Sequence, residues 1–252
     1  MNRVVCQFSC GATSAVACKL ALAHYGGLGH EVVIINAFLK EEHEDNRRFA
    51  AECEAWFGQP MTVLRDEKYG ASAYEVFRRE RYMNGPKGAP CTRALKRRVL
   101  DAFKRPDDIV VIGYDAGEQD RLDDFRESFP DINIVCPLID RGLSKADCLA
   151  MMDRAGIRPS IMYELGFENA NCIGCVKGGE GYWNQVRRVF PIVFHRMADL
   201  QEDIGEGAYF FRNRDTGVRF GLKQLDPEAG RLGETMPSCS FFCELAEQEY
   251  SA

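Results

Sequence analysis

The stretch that most constrains this chain is RVVCQFSCGATSAVACKL, residues 3–20. An apolar run (Val4, Val5, Phe8) enters a turn made of Ser9, Cys10, Gly11, Ala12, Thr13 and Ser14, and leaves as an alanine-rich helix. Small side chains at all of these turn positions let backbone N–H groups face an anion, and the positive end of the following helix strengthens the attraction. The turn has neither the Gly-x-x-x-x-Gly-Lys nor the Gly-x-Gly-x-x-Gly spacing of familiar phosphate loops. Strand–turn–helix units of this kind also occur without a ligand, so the stretch alone predicts an anion-binding turn and nothing sharper.

The alternation of strand and helix continues downstream. EVVIINAFL reads as a strand buried on both faces, EDNRRFAAECEAWFG as a helix with Phe49, Cys53 and Trp56 on one side, and PMTVL as another strand. After an irregular stretch with a short helix (66–90), CTRALKRRVLDAF (91–103) is predicted helical with Leu95, Val99, Leu100 and Phe103 as its stripe. DDIVVIGYD is a strand, EQDRLDDFRESF a helix, INIVCPLID a strand, and a helix comes next at about 143–155. The pattern predicts an α/β fold with a doubly wound, mostly parallel sheet of five or six strands, whose ligands sit beyond the carboxyl ends of the strands. From residue 157 the rhythm breaks into a loop bearing a Cys pair, an amphipathic helix at about 181–199 and a hairpin around Asp215-Thr216-Gly217. The expected organisation is therefore an α/β domain over 1–156 that carries the anion-binding turn, and a helical, cysteine-bearing C-terminal extension over 157–252 packed on it.

With a net charge of −6, nonspecific nucleic-acid binding by the whole surface is not expected, although a local basic groove stays open. Two basic stretches are candidates: Arg78, Arg79, Arg81 and Lys87 before Cys91, and Arg187, Arg188, His195 and Arg196 beside Trp183. Each reads either as a solvated face or as a phosphate contact. No apolar run approaches the roughly 20 residues of a membrane span, and the expected location is cytoplasmic.

The chain holds eleven cysteines, an odd number spread through strands and helices, which does not suit a secreted disulfide framework. Cys6, Cys18, Cys53, Cys136 and Cys148 lie in apolar or helical contexts and read as small core residues. Cys172-Ile-Gly-Cys175 can hold a metal or form a redox pair, and Cys91, at a helix start rich in Arg and Lys, supplies a third thiol. Three thiolates suit an iron–sulfur cluster, whose fourth iron is open or held by Cys239, Cys243 or Cys10; zinc and unmetallated thiols are the alternatives. Lys96 can neutralise such thiolates or reach a phosphate.

Three segments in order resemble the PP-loop ATP pyrophosphatase superfamily, and within it the phosphoadenylyl-sulfate (PAPS) reductase-like family. They are FSCGATS, Cys91-x4-Lys96, and Pro137-Leu138-Ile139-Asp140 followed by Tyr163 and Gly174-Cys175. The Cys91–Cys172 separation of 81 residues also fits that family. Departures accompany the match: Cys91-Thr92 stands where the cluster-bearing reductases have a Cys-Cys tandem, Cys10 and Thr13 replace a Gly and an Asp of the loop, and Asp115 replaces an Arg. Thr13 resembles the phage-associated and DNA-phosphorothioation-like branches.

The resemblance implies an adenine nucleotide alpha hydrolase-like fold that binds ATP or adenylyl sulfate with Mg²⁺. It places Ser9, Cys10, Gly11, Ala12, Thr13 and Ser14 on the phosphates and Gly113, Glu118 and Arg121 beside the nucleotide. Arg121 reads equally as a helix-surface ion-pair partner. A 4Fe-4S cluster on Cys91, Cys172 and Cys175 is implied, with Lys96 as a catalytic residue. The implied activity is that of an ATP-dependent sulfurtransferase: adenylation of an acceptor, then sulfur transfer to a nucleic acid, with a sulfur-donor or reductant protein as partner and a homodimer as a plausible assembly. An adenylyl-sulfate or PAPS reductase using Cys239 or Cys243 as nucleophile is the alternative, and a non-catalytic nucleotide-binding subunit is a third reading.

Overall fold

The computed structural model describes residues 2–85 and 88–231. The strands are β1 (Arg3–Gln7), β2 (Glu31–Ala37), β3 (Thr62–Leu64), β4 (Ile109–Val111), β5 (Asn133–Val135), β6 (Phe211–Arg212) and β7 (Arg219–Phe220). The helices are α1 (Ala12–Ala21), α2 (Asp45–Phe57), α3 (Ala73–Glu80), α4 (Arg98–Phe103), α5 (Gln119–Ser128), α6 (Lys145–Arg154), α7 (Ile161–Glu164), α8 (Glu180–Val189) and α9 (Pro191–Ile204). They form two compact units interleaved along the chain. One holds the residues up to Phe38, Glu44–Leu64 and Val99–Ile161; the other holds Leu39–His43, Arg65–Arg98 and the chain from Met162.

The first unit is the expected α/β fold. Its five strands run parallel in the order β3-β2-β1-β4-β5. β1 is central and all five of its residues are buried, as a strand covered on both faces requires. On one face Val4, Cys6, Phe8 and Ile34 share a core with Ala15 and Val16 of α1, Phe49 and Cys53 of α2, and Cys148 and Met152 of α6. The strand order reverses between β1 and β4, so the chain leaves these two neighbours in opposite directions and a crevice opens beyond their carboxyl ends. At the amino ends of the same strands, the Arg3 guanidinium forks onto the Asp108 carboxylate at 2.7 and 2.8 Å.

The cysteines expected in the core are there. Cys6, Cys18, Cys53, Cys136 and Cys148 are 0–1% exposed, and burial pushes the Cys53, Cys136 and Cys148 thiols up to about 12. Those three thiols stay protonated at neutral pH and serve as packing groups.

The second unit packs α3, α8 and α9 around Trp183, Val186, Phe194 and Leu200. The single helix expected over about 181–199 is instead two, α8 and α9, broken at Phe190-Pro191. Proline disfavours helical geometry at the preceding residue, and Phe190 sits at φ −130°, ψ 60°, so Pro191 opens a new helix in the first-turn position that tolerates its missing N–H. The expected 91–103 helix widens over Thr92–Arg97 into i→i+5 turns before α4 begins. The hairpin is present: β6 and β7 pair antiparallel, and the Asn213 side chain accepts the Asp215 and Thr216 N–H groups. No helix among the described residues is long and apolar enough to cross a membrane.

Candidate functional site

The loop between β1 and α1 closes on one hydroxyl. Ser14 Oγ accepts the Ser9 N–H at 3.1 Å and the Ser9 hydroxyl at 3.2 Å, and donates to the Gly11 carbonyl at 2.9 Å. These bonds curl the backbone over the first turn of α1, where Gly11 is the cap residue and no side chain caps the helix. The first-turn N–H groups lack intrahelical acceptors and carry the positive end of the helix dipole. Ser9 is exposed, Gly11 and Thr13 are half-buried, and Cys10, Ala12 and Ser14 are buried. All six predicted loop residues are therefore brought together.

Cys10 occupies the left-handed region at φ 57°. Its thiol points inward, accepting from Asn36 Nδ2 at 3.7 Å and donating to the Asn46 carbonyl at 3.9 Å. Asn36 also donates to the Phe8 carbonyl at 2.9 Å, so it braces both sides of the turn. Neither asparagine stood out in the sequence, although Asn36 interrupts an otherwise apolar strand. A β-carbon in the left-handed region costs about 1 kcal/mol. Cys10→Gly is therefore expected to be more stable than Cys10→Ala by about 1 kcal/mol in urea denaturation, the reverse of the usual order at a buried site. Equal stabilities would remove the strain argument.

The loop after β4 approaches closely. A β-carbon on Gly113 would lie 2.7 Å from Ser14 Cα and 2.8 Å from Ser14 N, so glycine here is a steric requirement. Beyond it, Gly117 N–H donates to Asp115 Oδ1 and Asp115 N–H donates to the Glu118 carboxylate. Glu118 and Arg121 pair with one another, and the Arg121 guanidinium lies 4.4 Å from the Tyr114 ring centre. Among the ion pairs of the described residues, Arg121 is joined to Glu118, three residues before it on the same helix start.

In the second unit, Cys91, Cys172 and Cys175 are half-buried, in no disulfide, and all packed against the same apolar core. The Cys172–Cys175 turn closes around Tyr182, whose hydroxyl accepts the Gly174 and Cys175 N–H groups and donates to the Cys172 carbonyl, each at 3.0 Å. Burial raises the Tyr182 hydroxyl above its ordinary pKa, keeping its proton available for that carbonyl. Gly174 takes φ 79°, and the Ile173 N–H is held by the Glu41 carbonyl at 2.8 Å. The Glu41 carboxylate in turn accepts Ser72 Oγ and the Ala73 N–H at the start of α3. Tyr182 and Glu41 are supports the sequence reading did not single out.

Among the described residues, no group of three His, Cys, Asp or Glu side chains is arranged to hold a metal ion. The donor chemistry nevertheless suits a thiolate-bound group: three reduced thiols against one apolar surface, two of them on a braced turn. Lys96 is buried in the widened helix, at 6% exposure. Cys239 and Cys243 lie outside the described residues. Trp183 is fully buried, so it cannot stack on a base, and Arg187 bonds the Leu225 carbonyl at 2.9 Å. The basic strip expected beside them is thereby reduced to Arg188, His195 and Arg196, which are exposed.

No protein-family model matches the chain, and no curated protein matches it. Among solved structures, it is similar to the U34-tRNA thiolase NcsA from Methanococcus maripaludis with its 4Fe-4S cluster. That likeness has a TM-score of 0.46 and 14% identity, over 87% of this chain and 76% of that one.

Proposed function

We propose that this protein is a PP-loop enzyme that binds ATP in the first unit and activates a nucleic-acid acceptor for sulfur transfer. The observation that carries the reading is the closed small-residue turn, Ser9–Ser14, at the carboxyl end of the central strand, with the uncapped start of α1 behind it. Backbone N–H groups fixed in this way hold phosphate oxygens without reorganising as charge develops. An acceptor oxygen attacks the α-phosphorus and pyrophosphate leaves; sulfide, supplied by a donor protein, then attacks the adenylated carbon, forming the C–S bond as the C–O bond breaks and AMP leaves. Thr13 and Ser14, on the first turn of α1, are the residues that would meet a Mg²⁺-bound phosphate in this reading.

In the second unit, Cys91, Cys172 and Cys175 are the residues that would hold an iron–sulfur cluster. Such a cluster supplies a soft, redox-capable site for sulfur. Tyr182 fixes the turn that bears two of these thiols, and buried Lys96 lies five residues beyond the third, where its cation offsets thiolate charge.

The test is ATP titration and pyrophosphate release with anaerobically purified protein. Wild type is expected to bind ATP, and Ser14→Ala, which loses the loop-closing bonds, to bind it at least 10-fold more weakly. Wild-type protein that binds no ATP would sink the reading. Iron and sulfide content is expected to fall in Cys91→Ala and Cys172→Ala; unchanged content in both would discard the cluster. A thiosulfonate on Cys239 or Cys243 after incubation with adenylyl sulfate would favour the reductase instead.

A further inference from the structure

Residues 65–98 contain ten Lys or Arg against four Asp or Glu, in a chain whose net charge is −6. Part of that excess is displayed on α3 and the turn before it. Arg78 and Arg79 are exposed and share one carboxylate, Glu75, at 2.8 and 3.3 Å. Lys68 Nζ and the Arg79 guanidinium lie over the same Tyr69 ring, 4.8 and 5.8 Å from its centre. α9 packs on α3 and adds exposed Arg196, whose guanidinium is 3.7 Å from the centre of the Tyr74 ring.

The acids around this face are largely committed elsewhere. Glu80 accepts the Tyr69 hydroxyl at 2.7 Å and meets Arg93 at 3.5 Å. Asp203 holds Arg81, and Asp199 holds Lys223. In the turn before α3, Asp66 accepts the Tyr69 N–H, and Glu67 beside Lys68 is exposed. Arg78 and Arg79 crowd one carboxylate, and Lys68 shares the Tyr69 ring with Arg79; these like charges repel one another, and the tyrosine rings offset that only in part. Stacking also holds the cations in place before a partner arrives, which lowers the entropy lost on binding. Both features suit a polyanion with regularly spaced charges.

We propose that Lys68, Arg78, Arg79 and Arg196, held by Tyr69 and Tyr74, form the surface on which the phosphate backbone of the nucleic-acid acceptor docks. The inference rests on the proposed nucleic-acid acceptor and adds where that acceptor is held. Contacts of this kind position the nucleic acid and leave sequence choice to other groups.

The experiment is fluorescence anisotropy with a labelled RNA stem-loop and a labelled DNA duplex at several salt concentrations, using full-length protein without ATP. Arg78→Gln with Arg196→Gln is expected to weaken binding of at least one probe 10-fold or more. Its log–log salt slope should be shallower by about 1.8, roughly 0.9 for each phosphate that is no longer neutralised. Lys68→Gln with Arg79→Gln should give a comparable loss, and ATP titration of all variants should match wild type. If both double variants melt normally and bind like wild type, the surface is wrong while the acceptor reading stands. If wild type binds neither probe, both fall together. Competition by poly-glutamate as effective as by RNA would point to an acidic protein and overturn the proposal.

Discussion

Asp108→Ala is expected to lower the unfolding free energy by about 3–5 kcal/mol, the usual cost of stranding a buried charge. The Asp108 side chain is 1% exposed and that of Arg3 8%. Without the carboxylate, Arg3 keeps the Phe103 carbonyl at 3.1 Å, the Phe103 ring and the attraction of Glu31 and Asp107, and the Arg105 N–H loses its acceptor as well. The pair sits one residue before the Val4–Ile109 register match of β1 and β4, so the damage falls on the two strands whose far ends carry the candidate nucleotide loop.

The same pair sets an acid limit. Burial alone would raise the Asp108 pKa, but the Arg3 hydrogen bonds, the Arg105 N–H and the attraction of both cations outweigh it and hold the carboxyl below its ordinary value. A carboxyl depressed in the folded state stabilises fully above its unfolded pKa, near 3.9, and loses that contribution as pH falls through the folded value. Urea denaturation from pH 7 downward should therefore show a wild-type advantage over Asp108→Ala that is level at neutral pH and shrinks only below about pH 4. An advantage under 1 kcal/mol at pH 7, or one that fades between pH 7 and 5, would contradict this account.

What the sequence made legible was whatever local pattern alone decides. The β-branched run EVVIINA, bounded by turn residues, reads as a strand whose second half is buried, and the small side chains from Ser9 to Ser14 leave backbone as the main binding surface. Closure of that turn by Ser14 was not legible, because it depends on a rotamer and on the curl of the helix start. The widened turns at Thr92–Arg97 were hidden for a similar reason. A stripe of Leu95, Val99 and Leu100 reads as one helical face, yet Leu95 lies in the core of the second unit and Leu100 belongs to the first. Interleaving of the units leaves no compositional mark, since 39–43 and 65–98 are not set off by linkers rich in Gly or Ser. Pro191 was visible, and the amphipathic period running through it outweighed it; the backbone of Phe190 shows that proline's local restriction governs there.

Gly113→Ala should affect function most directly, and it separates a steric requirement from a tolerance for flexibility. The added methyl would meet Ser14 Cα at 2.7 Å, Ser14 N at 2.8 Å and the Thr13 carbonyl carbon at 3.0 Å, all of them backbone. No rotamer change can clear such clashes, so either β4 withdraws or the start of α1 moves. Overpacking of this kind costs about 1–3 kcal/mol of stability. The displaced atoms belong to the first-turn N–H groups proposed to hold phosphate, so ATP affinity should drop about 100-fold, or ~2.7 kcal/mol. Gly117→Ala is the matched control. Its methyl would meet only the Asp115 carboxylate oxygen, at 3.3 Å, and that side chain can swing aside. Near-wild-type ATP binding by Gly117→Ala with a large loss in Gly113→Ala would tie the effect to the β1 loop. Equal losses in both would mean that the loop after β4 binds the nucleotide through its own flexibility, and wild-type affinity in Gly113→Ala would mean that phosphate is held away from Thr13 and Ser14.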